Sequence, residues 1–271
     1  MSIKHLLILY LLTVSILVSF LSVEASNNYV KVNTTLPLIK ECKHPNILKK
    51  RIAKKLSKWV IEILEQSDTK AAIVSRPGIR FVRVLDKTKM GHTGIILRDP
   101  ELDQWMVYNL FSNPKTKHRF FEIKRTSVYD FFYTQPDLKL NALILIPNNN
   151  IQKNLILGFV SGKYKDLVKS QKYNLISPIE NLNSTNCVEW VILNVFAAKK
   201  NIYNANKLLE IINNEIIIEP LRLTVYRKLL LKLMPHVFWD ELPKNGYVKT
   251  IMVRDLYNSN LFTKKIFYRS Q

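Results

Sequence analysis

The chain has 271 residues, 47% of them hydrophobic, with six glycines and two cysteines. That is enough apolar material for a large core, and the lack of repeats and low-complexity tracts excludes a disordered, collagen-like or solenoid protein. Lysine and arginine outnumber aspartate and glutamate by 41 to 21, a net charge of +20; this favours anionic surfaces, but the basic residues are spread along the chain and never interleave with aromatics as in a nucleic-acid module, so no specific nucleic-acid partner is expected.

Residues 1–25 read as a secretory signal peptide. Lys4 and His5 precede the apolar run Leu6–Val23, and Val23-Glu24-Ala25 offers a small residue before the cut. An uncleaved anchor is the alternative, since the run just reaches membrane-spanning length. Export implies an oxidising compartment, where a Cys42–Cys187 disulfide is the default reading, but a nucleophilic Cys187 needs a free thiol, so the two are expected to be unbonded. Residues 26–45 form a polar arm with Pro37 and Pro45, and 46–271 form a single domain.

A helix is predicted from Asn46 to Gln66, because Ile52, Leu56, Trp59, Val60 and Ile63 recur at helical spacing opposite a lysine-rich face. Strands follow at 71–76, 79–85, 92–99, 104–111, 118–125 and 140–147, with Asp99–Asp103 as a hairpin loop and a short helix or turn at 127–133. Helices are predicted at 151–160, 187–199, 205–212 and 221–234, and a late strand at 247–255. The pattern gives an α+β fold, a mostly antiparallel sheet flanked by helices.

Cys187 opens the apolar helix "CVEWVILNVFAAK". Asn186 before it is a good N-cap, and Glu189 completes a capping-box pattern. A helix N-terminus presents unsatisfied N–H groups and positive potential, which favour thiolate over thiol. The Cys187 amide is also placed to face a developing oxyanion.

A nucleophilic thiol needs a base. Of the five histidines, His5 leaves with the signal, His44 lies in the arm, and His118 and His236 occupy peripheral positions. His92 opens the apolar strand "HTGIIL" between Gly91 and Gly94, whose small size allows close approach. The next strand, "QWMVYNLF", returns beside it and brings Tyr108 and Asn109 about opposite His92. Asn109 interrupts an apolar strand and requires a hydrogen-bond partner, which an imidazole N–H would supply.

"HTGIIL", "VYNLF" and "TNCVEWV", in that order, resemble the circularly permuted papain-like fold of NlpC-type and lecithin retinol acyltransferase-like cysteine hydrolases. The resemblance implies Cys187 as nucleophile, His92 as base and Asn109 as the orienting third residue, a position often held there by a second histidine. From about Ala71 to Phe262 the chain also resembles a secreted bacterial family, domain of unknown function 2145, through "AAIVSRPG", "SVYDFF", "NSTNCVEWVILNVFAA" and "VFWDELP".

These readings point to an exported thiol hydrolase or acyltransferase of the bacterial periplasm or cell envelope. It would act on an amide or ester, such as a peptidoglycan peptide or a lipid acyl group, with peripheral contact to anionic membrane. The alternative is a non-catalytic envelope binding protein whose Cys187 is structural. No cofactor is expected. No metal site is expected either, since the Cys and His residues lack ligand spacing and there is no HExxH or phosphate-binding glycine loop.

Overall fold

Alternation along the strands of one central sheet sends side chains into two separate cores. The computed structural model describes residues 45–269 apart from 80, 81, 83, 84, 100, 113–119, 137, 165, 166, 233, 235 and 236. They belong to one compact unit, Val32–Gln271. The signal peptide, the arm up to residue 44, and Cys42, His44, His118 and His236 lie outside the described residues.

The elements run α1 (Pro45–Gln66), β1 (Ala71–Arg76), β2 (His92–Asp99), β3 (Gln104–Ser112), β4 (Phe121–Ser127), α2 (Val128–Tyr133), β5 (Asn141–Pro147), α3 (Asn149–Val160), α4 (Cys187–Lys200), α5 (Ala205–Glu215), β6 (Leu221–Arg222), α6 (Val225–Lys232), a 3-10 turn (Trp239–Glu241), β7 (Tyr247–Val248), α7 (Val253–Asn258) and β8 (Phe262–Arg269). Six strands form an antiparallel sheet in the order β4-β3-β2-β1-β5-β8, and β6 pairs with β7 in a separate ribbon. The fold is thus α+β.

Ala71, Ile73, Ile95, Leu97, Tyr108, Leu143 and Leu145 face α3, α4, α5 and α7. Their neighbours Ala72, Val74, Ile96, Val107, Ala142 and Ile144 face α1 and α2. The central strands are covered on both faces, so β1 and β5 read as continuous apolar runs. A third cluster joins Val82, Leu85, Ile176, Leu221, Leu223, Leu231, Val248 and Met252 under the β6–β7 ribbon.

α4 is buried along twelve of its fourteen residues, from Cys187 to Ala198. Each fully buried Val, Ile, Leu or Phe contributes roughly 1.5–3 kcal/mol, which makes α4 the main anchor of its core. It ends where Asn201 takes a left-handed conformation, φ 55°.

Four elements depart from the sequence-based expectation. Within the predicted strand 79–85 the described residues Val82 and Leu85 are helical, and the Asp86 amide bonds the Val82 carbonyl at 3.0 Å. Val82 and Leu85 therefore meet the third core at helical spacing. The predicted helix 221–234 is split into β6 and α6, because Leu221 and Arg222 pair with Val248 and Tyr247. The predicted strand 247–255 stops at Val248, and α7 begins at Val253, with Asp255 accepting the Met252 N–H at 2.8 Å. β8 was not anticipated: two lysines and a threonine interrupt its apolar residues, as suits a strand at the sheet edge.

Candidate active site

β2 and β3 together place the candidate base. Their register pairs Gly94 with Asn109, so Asn109 is diagonal to His92 rather than directly across. Both side chains fall on the α1–α2 side of the sheet. Nε2 of His92 lies 3.2 Å from Oδ1 of Asn109. The His92 ring also lies 4.9 Å from Phe111 and 5.7 Å from Phe131 between centroids. Gly94 is required here, since a Cβ would fall 2.7 Å from Val107 Cγ1 and 2.8 Å from the Tyr108 carbonyl oxygen.

The orientation of the Asn109 amide is determined by its neighbours. Nδ2 donates to the carbonyls of Val107 and Lys124 and to Thr126 Oγ1, each at 3.2 Å. A flipped amide would set Oδ1 against two carbonyl oxygens. Oδ1 therefore faces His92 and accepts, which assigns the proton to Nε2 and leaves the lone pair on Nδ1.

Cys187 is the first residue of α4. Asn186 Oδ1 accepts the Glu189 amide at 2.8 Å, which gives the expected N-cap. The sulfur receives the Thr93 and Val188 amides and the Tyr173 hydroxyl, with the Arg76 charge nearby. Tyr173 is brought in by its pairing with Thr185, just before the cap residue. The Thr93 amide belongs to the peptide that joins His92 to Thr93, so the thiol is held beside the base's own backbone. Among the described residues, no hydrogen bond joins Cys187 to the His92 ring: Cys187 packs in the core on the α4 side of the sheet, whereas the ring lies against Phe111 and Phe131 on the α1–α2 side, so the thiol–imidazole contact expected from the sequence is not formed.

The electrostatics also differ from expectation. Burial pushes the Cys187 thiol up, outweighing the amides, Arg76 and Tyr173, all of which favour thiolate. The expected depressed thiol pKa is therefore corrected: Cys187 is a neutral thiol at rest. Burial, then the Arg76 charge, lowers His92 to about 3, against the Asn109 hydrogen bond. The resting pair is thiol plus neutral imidazole. Cys187 carries a free, buried thiol.

Arg76, like Tyr173, is a residue near the thiol that the sequence reading missed. It ends β1 directly across from His92. Its guanidinium is buried, 5.1 Å above the Phe131 ring, with Nη2 3.4 Å from Thr134 Oγ1. Among the described residues no carboxylate pairs with it. Burial lowers it to about 10, so it stays a cation at neutral pH. The available signal was a charged residue at the end of an apolar strand.

A cleft of about 360 Å³, counting the space at its mouth, opens beside the thiol; Met90, Gly91, Ile176, Asn186, Cys187 and Met252 are among its lining residues. Gly91 packs on Gly78 so closely that a Cβ on Gly78 would lie 2.6 Å from the Gly91 Cα. On the other side of the cap, Lys169 and Glu189 form an ion pair at 2.8 Å, both side chains essentially inaccessible. Glu241 holds the preceding loop by accepting from Lys172 and Ser184 at 2.6 Å and from Asn174 at 2.8 Å.

No group of His, Cys, Asp and Glu suited to a metal ion occurs among the described residues. None of the described helices is long and apolar enough to cross a membrane. Searches of curated proteins and of solved structures found no match. The family described as "Uncharacterized protein conserved in bacteria (DUF2145)" matches residues 63–243, a span that holds Arg76, His92, Asn109, Tyr173 and Cys187. With most of its length inside that match, the chain belongs to this bacterial family.

Proposed function

We propose that this protein is an exported thiol hydrolase or acyltransferase of the bacterial envelope, acting on an amide or ester through Cys187, His92 and Asn109 on a permuted papain-like scaffold. The observation that carries this reading is the chain of contacts from fixed backbone carbonyls to the Asn109 amide to His92 Nε2. That chain leaves Nδ1 as the proton acceptor, while the thiol is held at the adjoining Thr93 amide.

In this mechanism the start of β2 first turns the His92 ring from the α1–α2 side toward Cys187, and Nδ1 then takes the thiol proton as sulfur attacks the acyl carbon. The S–C bond forms, and the carbonyl electron pair moves to oxygen near the N-terminal amides of α4. Collapse breaks the bond to the leaving group, which carries away the proton from Nδ1. Water or another acceptor then attacks the thioester, gives its proton to Nδ1, and the sulfur regains a proton as it departs. Arg76 favours the thiolate and disfavours the imidazolium, so proton transfer and attack are concerted.

The burial of Cys187, and its place on the opposite face of the sheet from the His92 ring, favour the second reading, a non-catalytic envelope binding protein with a structural cysteine. Intact-mass analysis after incubation with a p-nitrophenyl acyl ester separates the two. The enzyme reading expects one acyl group on Cys187, none in Cys187→Ser, and at least about a 100-fold slower appearance in His92→Gln. If the folded chain acquires no more adduct at Cys187 than the denatured chain, the structural reading stands.

A further inference from the structure

The β6–β7 ribbon and α6 form a single surface element whose outer side is both apolar and basic. Val225 and Leu229, one helical turn apart on α6, are 86% and 59% exposed. Leu231 on the same helix is fully buried in the third core and fixes the helix in place. In the ribbon, Leu221 and Val248 point inward, while their neighbours Arg222 and Tyr247 are cross-strand partners on the exposed side. Arg227 Nη1 donates to the Arg222 carbonyl at 2.8 Å, and the Lys228 side chain lies against Gly246. Helix and ribbon thus present one continuous face.

The charge on this element has one sign. Residues 221–232 and 244–249 contain Arg222, Arg227, Lys228, Lys232, Lys244 and Lys249 and no acidic residue. Exposed aliphatic side chains have no role in holding a phosphodiester backbone in water. A surface that combines them with a tyrosine and arginines suits an interface where apolar groups sink below a layer of negative headgroups. We propose that this face is a docking surface for anionic lipid bilayers. The inference does not rest on thiol chemistry.

Hydrogen–deuterium exchange of the full chain reads the face directly, whatever residues 1–25 do. The probes are vesicles of phosphatidylcholine alone, vesicles containing phosphatidylglycerol, and a DNA duplex of matching charge. Slowed exchange in 222–232 and 246–249 with the phosphatidylglycerol vesicles only is the expected result. In Arg222→Gln/Arg227→Gln/Lys228→Gln, and separately in Val225→Ser/Leu229→Ser, that protection should need about tenfold more lipid or higher, with unchanged circular dichroism. Equal protection by neutral vesicles, protection by DNA alone, or no protection in the parent chain overturns the proposal. The parent-chain result stands even if a variant fails to fold.

Discussion

The imidazole of His92 meets the side-chain amide of Asn109 across two strands, Nε2 to Oδ1 at 3.2 Å, with both residues enclosed. In Asn109→Ala that nitrogen has no acceptor, and two carbonyls and a threonine hydroxyl lose a donor. A destabilisation of about 1–3 kcal/mol is expected by denaturant titration. Nitrogen-15 spectra should show the Nε2–H tautomer alone in the parent and a mixture in the variant. A mixture already present in the parent would remove the orienting role of Asn109.

His92 makes stability depend on acid. Its folded pKa, about 3, is depressed below the ordinary value of 6.5. Between these values the unfolded chain binds the extra proton, so this contribution is complete above pH 6.5 and shrinks as pH falls toward 3. Glu189 and Asp255 work in the opposite sense, because burial raises both carboxyls. The His92 part is therefore isolated as parent minus His92→Gln in melts across pH 4–7. That difference should narrow as pH falls; a constant difference would contradict the depressed pKa.

Arg76 couples charge to the thiol without supporting the fold through an ion pair. Replacing one partner of a buried salt bridge costs about 3–5 kcal/mol, but Arg76 has no carboxylate to strand. Arg76→Met should leave the melting temperature unchanged or raise it. Iodoacetamide labelling of Cys187 in the parent should be slower than for a free thiol at neutral pH, since burial raises its pKa. The same substitution should slow it further. A faster-labelling variant would show that the Arg76 charge does not act on the sulfur.

Gly94 lets β3 lie against β2 behind the base. A methyl group there meets a valine methyl and a backbone oxygen at under 3 Å. Gly94→Ala should cost about 1–3 kcal/mol and shift the His92 and Asn109 resonances together. A variant with parental stability would mean that the two strands have slack at this point.

The parts legible in sequence are those where one local rule dominates. Short apolar runs on either side of the Asp99–Asp103 loop marked β2 and β3, and the Asn186 cap marked the start of α4. The misread parts depend on distant partners. Leu221 and Arg222 continue a helical pattern and become strand only because Val248 and Tyr247 lie alongside. β8 carries lysines that suit an edge position, which sequence cannot reveal before the strand order is known. In the candidate site, the His92–Asn109 bond was foreseeable from the strand pairing, whereas the face on which Cys187 would lie was not. Nor were Arg76 and Tyr173, because they reach the thiol through β1 and through a loop with no periodic signature. The direction of the Cys187 pKa was misjudged for a related reason: the helix N-terminus is visible locally, whereas burial is a property of the assembled core.

The order of strands sets the order of assembly. β5, buried at every residue, lies between β1 and β8. β8 is the last strand of the sheet to be synthesised. Until it arrives, one side of β5 is an open apolar edge. The sheet therefore completes only after translation has passed residue 269, when β8 can cover the open edge of β5.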